Sequence, residues 1–555
     1  MRSRGLLLLF AWTALLFVGL MLLSGWWLQR NDLPNGFQNE ADHLYTLSEV
    51  FFRFRDNSYA DASDSLWGEY YPPLNHLLAG GGMSLFGRSR MVATLSLGAT
   101  VGLLLFAVAF IGRRARDGPS AALAVLLVAS YPSIFGNMRR YEPNIVLAAL
   151  VALGLALLVT GVPWRSRGGA VCFGAVAGLG LLADRVVFAV YMAPVVAVLW
   201  LRLQGEPQRR RELLRKGVLA AAVALCLCGY YYVRFVQGHI DEILSQLHGE
   251  VDATGLETES YSLLSFRGLF YYPLSWFDCQ MGPALAVFTG GGLLLYLFKV
   301  RSELAAEPRA VLESCLIGGL MIFTLVGKKQ PFYSIPLLAP AALLAAFGWS
   351  SLRSARAASV IFCGVLLLCA HQVRFLTQHE GLVPSPGRWA WLAGASPFPA
   401  QWLGYEYTQA AAPFAQNLRL ERAVQLCAGE LSDQHPYTLL FSEGGAAEEG
   451  QLMPTLRLGL DTRLVEGLRK SPPEAIEENL SVTACFIYVA TDGRHWPSSA
   501  SMRATFARFN AGAAPAELVE RIEELEDSAR LLDSWMSFGA EEVHVYALVS
   551  GAEAS

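Results

Sequence analysis

Charged side chains are scarce in this 555-residue sequence, and they gather at a few points. The first group is Asn39-Glu40-Ala41-Asp42-His43-Leu44-Tyr45, followed in the same loop by Glu69-Tyr70-Tyr71-Pro72-Pro73-Leu74. The second is Asn137-Met138-Arg139-Arg140-Tyr141-Glu142-Pro143-Asn144. The third is the tight Ala183-Asp184-Arg185, and the last is Gly327-Lys328-Lys329-Gln330-Pro331-Phe332-Tyr333. A carboxylate can act as general base on a hydroxyl or amine. Cations can hold a phosphate and stabilise its charge as it leaves. A lipid-linked sugar phosphate meets both demands, because its polyprenyl tail stays in a bilayer while the phosphosugar sits at the interface. There is no Walker loop and no Gly-rich nucleotide fingerprint, so the donor is expected to arrive already activated.

The elements that must hold these groups are apolar. The chain is 54% hydrophobic and only 16% charged, against about 25% charged for soluble proteins, and its mean hydropathy is +0.37. That excludes a soluble enzyme for most of the chain, and it also excludes disorder and a disulfide scaffold. Apolar runs of roughly spanning length cover 5–28, 91–112, 119–136, 143–161, 169–183, 186–202, 217–236, 281–298, 310–326, 332–349 and 357–376, about eleven in all. The first is too long for a signal-peptide core, and it ends in Gly25-Trp26-Trp27 rather than a cleavage site. It is read as a retained span with an interfacial tryptophan anchor. The run 73–87 is short and carries Asn75, His76 and three consecutive glycines, so it is read as juxtamembrane or re-entrant.

Basic residues settle the expected orientation. With Arg2 and Arg4 inside and 73–87 not spanning, five basic groups also fall inside: Arg113/Arg114/Arg116, Arg165/Arg167, Arg209–Arg211 with Arg215/Lys216, Lys299/Arg301/Arg309 and Arg353/Arg356. The acidic loops 29–72 and 237–279 then fall outside, and so do all four chemical groups. The amino terminus is therefore expected in the cytoplasm, and an uncleaved multi-pass chain of this kind suits a bacterial inner membrane.

Residues 1–376 hold 31 Lys and Arg against 23 Asp and Glu, whereas 377–555 hold 12 against 24. A basic, apolar transmembrane domain, with a first outer loop over 29–90, thus precedes an acidic tail over 377–555. In the tail, 437–441, 484–490 and 543–549 read as strands, and 515–535 reads as a helix with Leu518, Ile522, Leu525, Ala529 and Leu532 on one face. The expectation is a small soluble α/β domain on the outer, periplasmic side. There Cys427 and Cys485 could form one disulfide. Six of the other cysteines lie in apolar runs and read as small hydrophobes. No basic stripe suggests a nucleic-acid partner. No cofactor motif is present. A divalent cation stays open, although His43 and His76 lack ligand spacing.

In order along the chain, N-E-A-D-H-L-Y, Y-P-P-L, L-F-G, R-x-E-P-N, G-L-G-L-L-A-D-R and G-K-K-x-x-x-Y-x-x-P-L-L-x-P resemble the polyprenyl-phosphate-dependent GT-C glycosyltransferases. That superfamily includes the protein mannosyltransferases and the lipid A aminoarabinose transferase. The resemblance spans about residues 5–350. It implies an integral-membrane enzyme that moves a sugar from a polyprenyl-phosphate donor to a lipid, glycan or protein acceptor, with inversion. The family's catalytic carboxylate falls on Asp42 or Glu40, Asp42 being taken first, and its second acidic position falls on Glu142. Donor-phosphate contacts fall on Lys328, Lys329 and Arg185. Tyr71 stands where the family often has Lys, so Arg139 or Arg140 is expected to compensate. His43, Tyr71, Asp184 and Tyr333 complete the set of substrate-side residues.

Each group also has a plain structural reading. Glu40 and Asp42 can cap a helix, Glu142 can sit as a first-turn acid, and Lys328 and Lys329 can snorkel to the interface. Asp184 and Arg185 can form a local ion pair. A polytopic transporter or lipid flippase is the rival reading of the whole chain. It would need charges at mid-span and broken helices, and the runs here are nearly free of charge away from their ends.

Overall fold

The computed structural model describes residues 2–29, 38–55, 72–184, 187–202, 207–236, 266–326, 331–352, 359–368, 420–432, 437–442, 465–467, 483–490, 495–497, 516–536, 542–548 and a few single positions. Its contacts divide the chain into two units. One takes in Glu69–Leu77 and Leu95–Ala412 with the amino-terminal Met1–Ser24. The other takes in Gly25–Gly68, Leu78–Thr94 and Pro413–Ser555.

Helices dominate the first unit because long apolar runs leave the backbone no partner but itself. Among the described residues, five helices are long and apolar enough to cross a membrane: Gly5–Leu28, Arg90–Ala115, Arg210–Arg234, Ala306–Leu325 and Phe332–Trp349. Six shorter apolar helices, Gly118–Ser130, Asn144–Val159, Arg167–Ala183, Val187–Leu201, Ala284–Val300 and Ser359–Leu368, fall on the six remaining apolar runs. Leu7, Leu8, Leu22, Val233 and Phe298 are exposed, so the protein presents an apolar surface suited to lipid. Together these features make it a multi-pass membrane protein.

Two helices form the inner layer. Asn144–Val159 and Leu338–Trp349 are buried almost throughout. Small residues let neighbouring backbones approach closely. A Cβ at Gly348 would overlap the Gly292 carbonyl oxygen, and one at Gly178 would lie 3.0 Å from the Ala224 carbonyl oxygen. Caps mark several helix starts: Asp117 accepts from the Ser120 amide at 2.8 Å, and Ser166 accepts from the Gly169 amide at 2.9 Å. The run 73–87 gives the helix Leu74–Phe86, which is not among the long or short apolar helices. Regular α-geometry is broken at two π-helical turns, Trp276–Gln280 and Tyr296–Val300, and in the 3-10 stretch Pro331–Leu337.

In the second unit, Gln38–Arg55 is a helix. Its His43, Leu44, Leu47, Ser48 and Phe52 are buried, while Tyr45 and Phe54 are exposed. The tail forms a five-stranded sheet from β1 (Tyr437–Ser442), β2 (Val465–Gly467), β3 (Thr483–Ala490), β4 (Ala529–Met536) and β5 (Glu542–Leu548), in the order β2-β1-β3-β5-β4. β2, β1 and β3 run parallel, and β5 and β4 add antiparallel. β3 is buried at every position, as expected for a central strand covered on both faces. Cys427 and Cys485 form the disulfide, which ties the helix Leu420–Glu430 to β3 with Cα atoms 5.6 Å apart.

One expectation is corrected here. The helix read over 515–535 stops at Ser528, and Ala529–Met536 is β4. The 3.6-residue spacing of Ala529 and Leu532 continues the helical face by coincidence. Pairing with β5 overrides that local preference. The boundary expected near residue 377 lies outside the described residues.

Candidate active site

The second chemical group is a six-residue turn between the short helix Pro132–Asn137 and the inner helix Asn144–Val159. Tyr131 is extended ahead of Pro132, and Pro143 is the N-cap residue of the second helix. The two prolines thus fix where the turn starts and stops. The polar side chains of the turn and of the asparagines that flank it are inside: Asn137, Arg139, Arg140, Glu142 and Asn144 are each no more than 6% exposed.

The Arg140 guanidinium Nη2 lies 2.7 Å from Glu142 Oε1. The other carboxylate oxygen, Oε2, accepts from Asn144 Nδ2 at 2.8 Å. Asn144 Nδ2 also reaches Asn137 Oδ1 at 3.2 Å, and Asn137 Nδ2 donates to the Ser133 carbonyl at 2.7 Å. Ser133 Oγ donates to the Gln280 carbonyl at 3.1 Å. Gln280 Oε1 in turn accepts from Ser334 Oγ at 3.0 Å, and Ser334 Oγ accepts from Trp276 Nε1 at 2.9 Å. A continuous polar chain therefore joins Glu142 to the π-helical turn and to the 3-10 stretch that follows Lys328 and Lys329 in sequence. π-Helical turns are frequent at functional sites.

Arg139 lies over the Phe135 ring, 4.3 Å from its centroid, in the geometry of a cation–π contact. Burial lowers its guanidinium to about 9, which leaves it protonated at neutral pH. Beside it, the Tyr141 hydroxyl lies 3.0 Å from His76 Nδ1. Burial raises the Tyr141 hydroxyl well above its usual value and lowers the His76 imidazole to about 4, so both are neutral at physiological pH.

The expected residues divide as follows. Arg139, Arg140 and Glu142 come together in one buried cluster. Tyr333 is buried, stacks on Phe323 at 5.5 Å, and accepts the Tyr191 hydroxyl with its main-chain carbonyl. Asp184 is half-buried at the end of the helix Arg167–Ala183. His43 is buried in the helix Gln38–Arg55. Glu40 and Asp42 belong to that same helix by backbone, and their side chains lie outside the described residues. So do Tyr71, Arg185, Lys328 and Lys329. Among the described residues, no three His, Cys, Asp or Glu side chains could together hold a metal ion. Sequence reasoning named Asn75 and Asn144 without a site role and passed over Gln280 and Ser334, although polar residues inside apolar runs are themselves a signal.

Residues 71–232 match the signature of the dolichyl-phosphate-mannose-protein mannosyltransferase family. Among solved structures, ArnT from Cupriavidus metallidurans bound to undecaprenyl phosphate is similar, with a TM-score of 0.58 and 15% identity over 97% of this chain and 98% of that one. Its apo state gives 0.57 and 14%, over 99% of each chain. No curated protein matches the chain in sequence. The chain thus has an ArnT-like fold. The resemblance read from the ordered motifs stands on two grounds, the fold and the matched segment.

Proposed function

We propose that the protein is an integral-membrane glycosyltransferase that takes a sugar from a polyprenyl-phosphate donor at the outer membrane face. The observation that carries this reading is the buried Arg139-Arg140-Tyr141-Glu142 turn, which lies inside the mannosyltransferase-like segment. A buried cluster with two guanidiniums and one carboxylate is costly to assemble, and function is the usual reason to keep one.

In the reaction, a first-loop carboxylate takes the proton of the acceptor hydroxyl or amine. The acceptor atom bonds to the anomeric carbon as the bond from that carbon to the phosphate oxygen breaks, which inverts the configuration. The electron pair leaves with the polyprenyl phosphate, whose charge Lys328, Lys329 and Arg185 receive. Positions 40 and 42 lie about 200° apart around a helix axis, so one approach direction serves only one of them. Position 40 is in phase with buried His43, Leu44 and Leu47, whereas position 42 is in phase with exposed Tyr45. Helix phase therefore favours Glu40 as the base. Both oxygens of Glu142 are engaged, which suits it to positioning rather than to proton transfer.

The orientation, the eleven-span count and the periplasmic tail belong to this same reading. The Cys427–Cys485 disulfide supports it, because such bonds persist in oxidising compartments. A transporter is disfavoured, since two deeply buried helices, Asn144–Val159 and Leu338–Trp349, carry no charged residue. The test is radiolabelled transfer from polyprenyl-phosphate sugars to lipid, glycan and protein fractions, with wild type beside Glu40→Gln, Asp42→Asn and Lys329→Ala.

A further inference from the structure

The helix Leu74–Phe86 begins directly after Pro72-Pro73, and its first full turn carries two buried polar residues side by side, Asn75 and His76, 3% and 2% exposed. Neither belongs to the charged groups, yet each reaches one of them. Asn75 Nδ2 donates to the Ala183 carbonyl at 2.9 Å, one residue ahead of Asp184-Arg185. His76 Nδ1 lies 3.0 Å from the Tyr141 hydroxyl, and Tyr141 stands between Arg140 and Glu142. Consecutive helical positions point about 100° apart, so two neighbours on one helix can hold two different turns. The turns they hold are otherwise far apart in sequence.

We propose that Asn75 and His76 are positioning residues that together fix the spacing between the Arg140–Glu142 turn and the Ala183–Asp184 turn. Each acts through one hydrogen bond to its own turn. The inference rests on the reading of these turns as the donor-phosphate side of a glycosyltransferase, but the bracket itself is a statement about geometry. It assigns the Asn75-His76 pair a purpose other than a metal site or helix packing. The neighbouring prolines hold the start of the helix, so the two side chains leave a fixed base rather than a mobile loop.

The full-length protein in detergent tests this by hydrogen exchange. Asn75→Leu, close in size and unable to donate, should speed exchange of the Asp184 and Val187 amides about three- to tenfold, as loss of one buried hydrogen bond implies. It should leave the Met138, Arg139 and Arg140 amides at wild-type rates. Tyr141→Phe and His76→Leu should do the reverse, and His76→Asn, which keeps a polar nitrogen near the Nδ1 position, should restore wild-type exchange. Loosening of both turns by either variant, or of neither turn, overturns the proposal. The kinetic arm separates it from the functional reading. Where wild type transfers sugar, both variants should raise the donor KM several-fold more than they lower kcat, and equal losses in both constants count against positioning. A wild type that transfers nothing refutes the enzyme reading, while the exchange pattern still decides the bracket.

Discussion

Arg140 and Glu142 form an ion pair at 2.7 Å, with 2% and 6% of their side chains exposed. The pair sits at the entrance to a helix with no charged residue of its own. At that depth the two groups depend on each other: together their charges cancel, and removing either leaves the other as a buried charge without its counter-ion.

The first prediction follows from that dependence. Arg140→Ala or Glu142→Ala should each destabilise the detergent-solubilised protein by about 3–5 kcal/mol, because each leaves the other charge uncompensated. The paired change Arg140→Met with Glu142→Leu should recover most of that stability without recovering sugar transfer. Thermal unfolding followed by near-UV circular dichroism reads the first effect, and the transfer assay reads the second. A double variant as unstable as the singles would contradict the account.

The tail gives a second prediction. Cys427 and Cys485 close a loop with a sequence separation of 58, and chain-entropy arguments assign such a loop about 4 kcal/mol. Cys427→Ser with Cys485→Ser should lower the stability of the sheet by roughly 2–4 kcal/mol. Thiol alkylation of membranes, with and without prior reduction, should show two additional labelled thiols after reduction. Equal labelling in both conditions would show that the disulfide is not formed and would weigh against a periplasmic tail.

Acid provides a third. His76 is held neutral to about pH 4, against an ordinary value of 6.5. The unfolded chain therefore binds a proton that the folded chain refuses. Stability is full above about pH 6.5 and declines as pH falls from there toward 4. His76→Asn should remove that decline, and urea unfolding between pH 7 and 4 measures it. A wild-type slope unchanged by the substitution would assign the acid sensitivity to other groups.

Topology gives a fourth. Single cysteines placed near Arg211 and near Arg301 should react with a membrane-impermeant maleimide only after the cells are opened. One placed in 237–279 should react in intact cells. Opposite labelling would reverse the proposed orientation.

Much of the architecture is legible in the sequence because hydrocarbon imposes simple rules on length and charge. The apolar runs recur as helices, and the strands over 437–441, 484–490 and 543–549 recur as β1, β3 and β5. Local pattern fails at 529–536, where a helical spacing yields to strand pairing with β5. The buried cluster of the candidate site was legible where it is ionic, at Arg139, Arg140 and Glu142. It was obscure where it is neutral. Asn75, Gln280 and Ser334 act through hydrogen bonds between segments more than 50 residues apart, and no spacing rule reports such contacts. Of the two first-loop acids, the family resemblance puts Asp42 first, while the helical phase of Gln38–Arg55 underlies the proposal of Glu40.

That choice sets the most direct test of the central claim. Membranes holding wild type, Glu40→Gln and Asp42→Asn would be compared for transfer of radiolabelled sugar from polyprenyl phosphate. The account predicts transfer by wild type, a loss of at least about a hundredfold in Glu40→Gln, as expected for removal of a general base, and substantial activity in Asp42→Asn. Loss in Asp42→Asn alone would move the base to Asp42 and contradict the argument from helix phase. Transfer unaffected by either change would contradict the proposed mechanism.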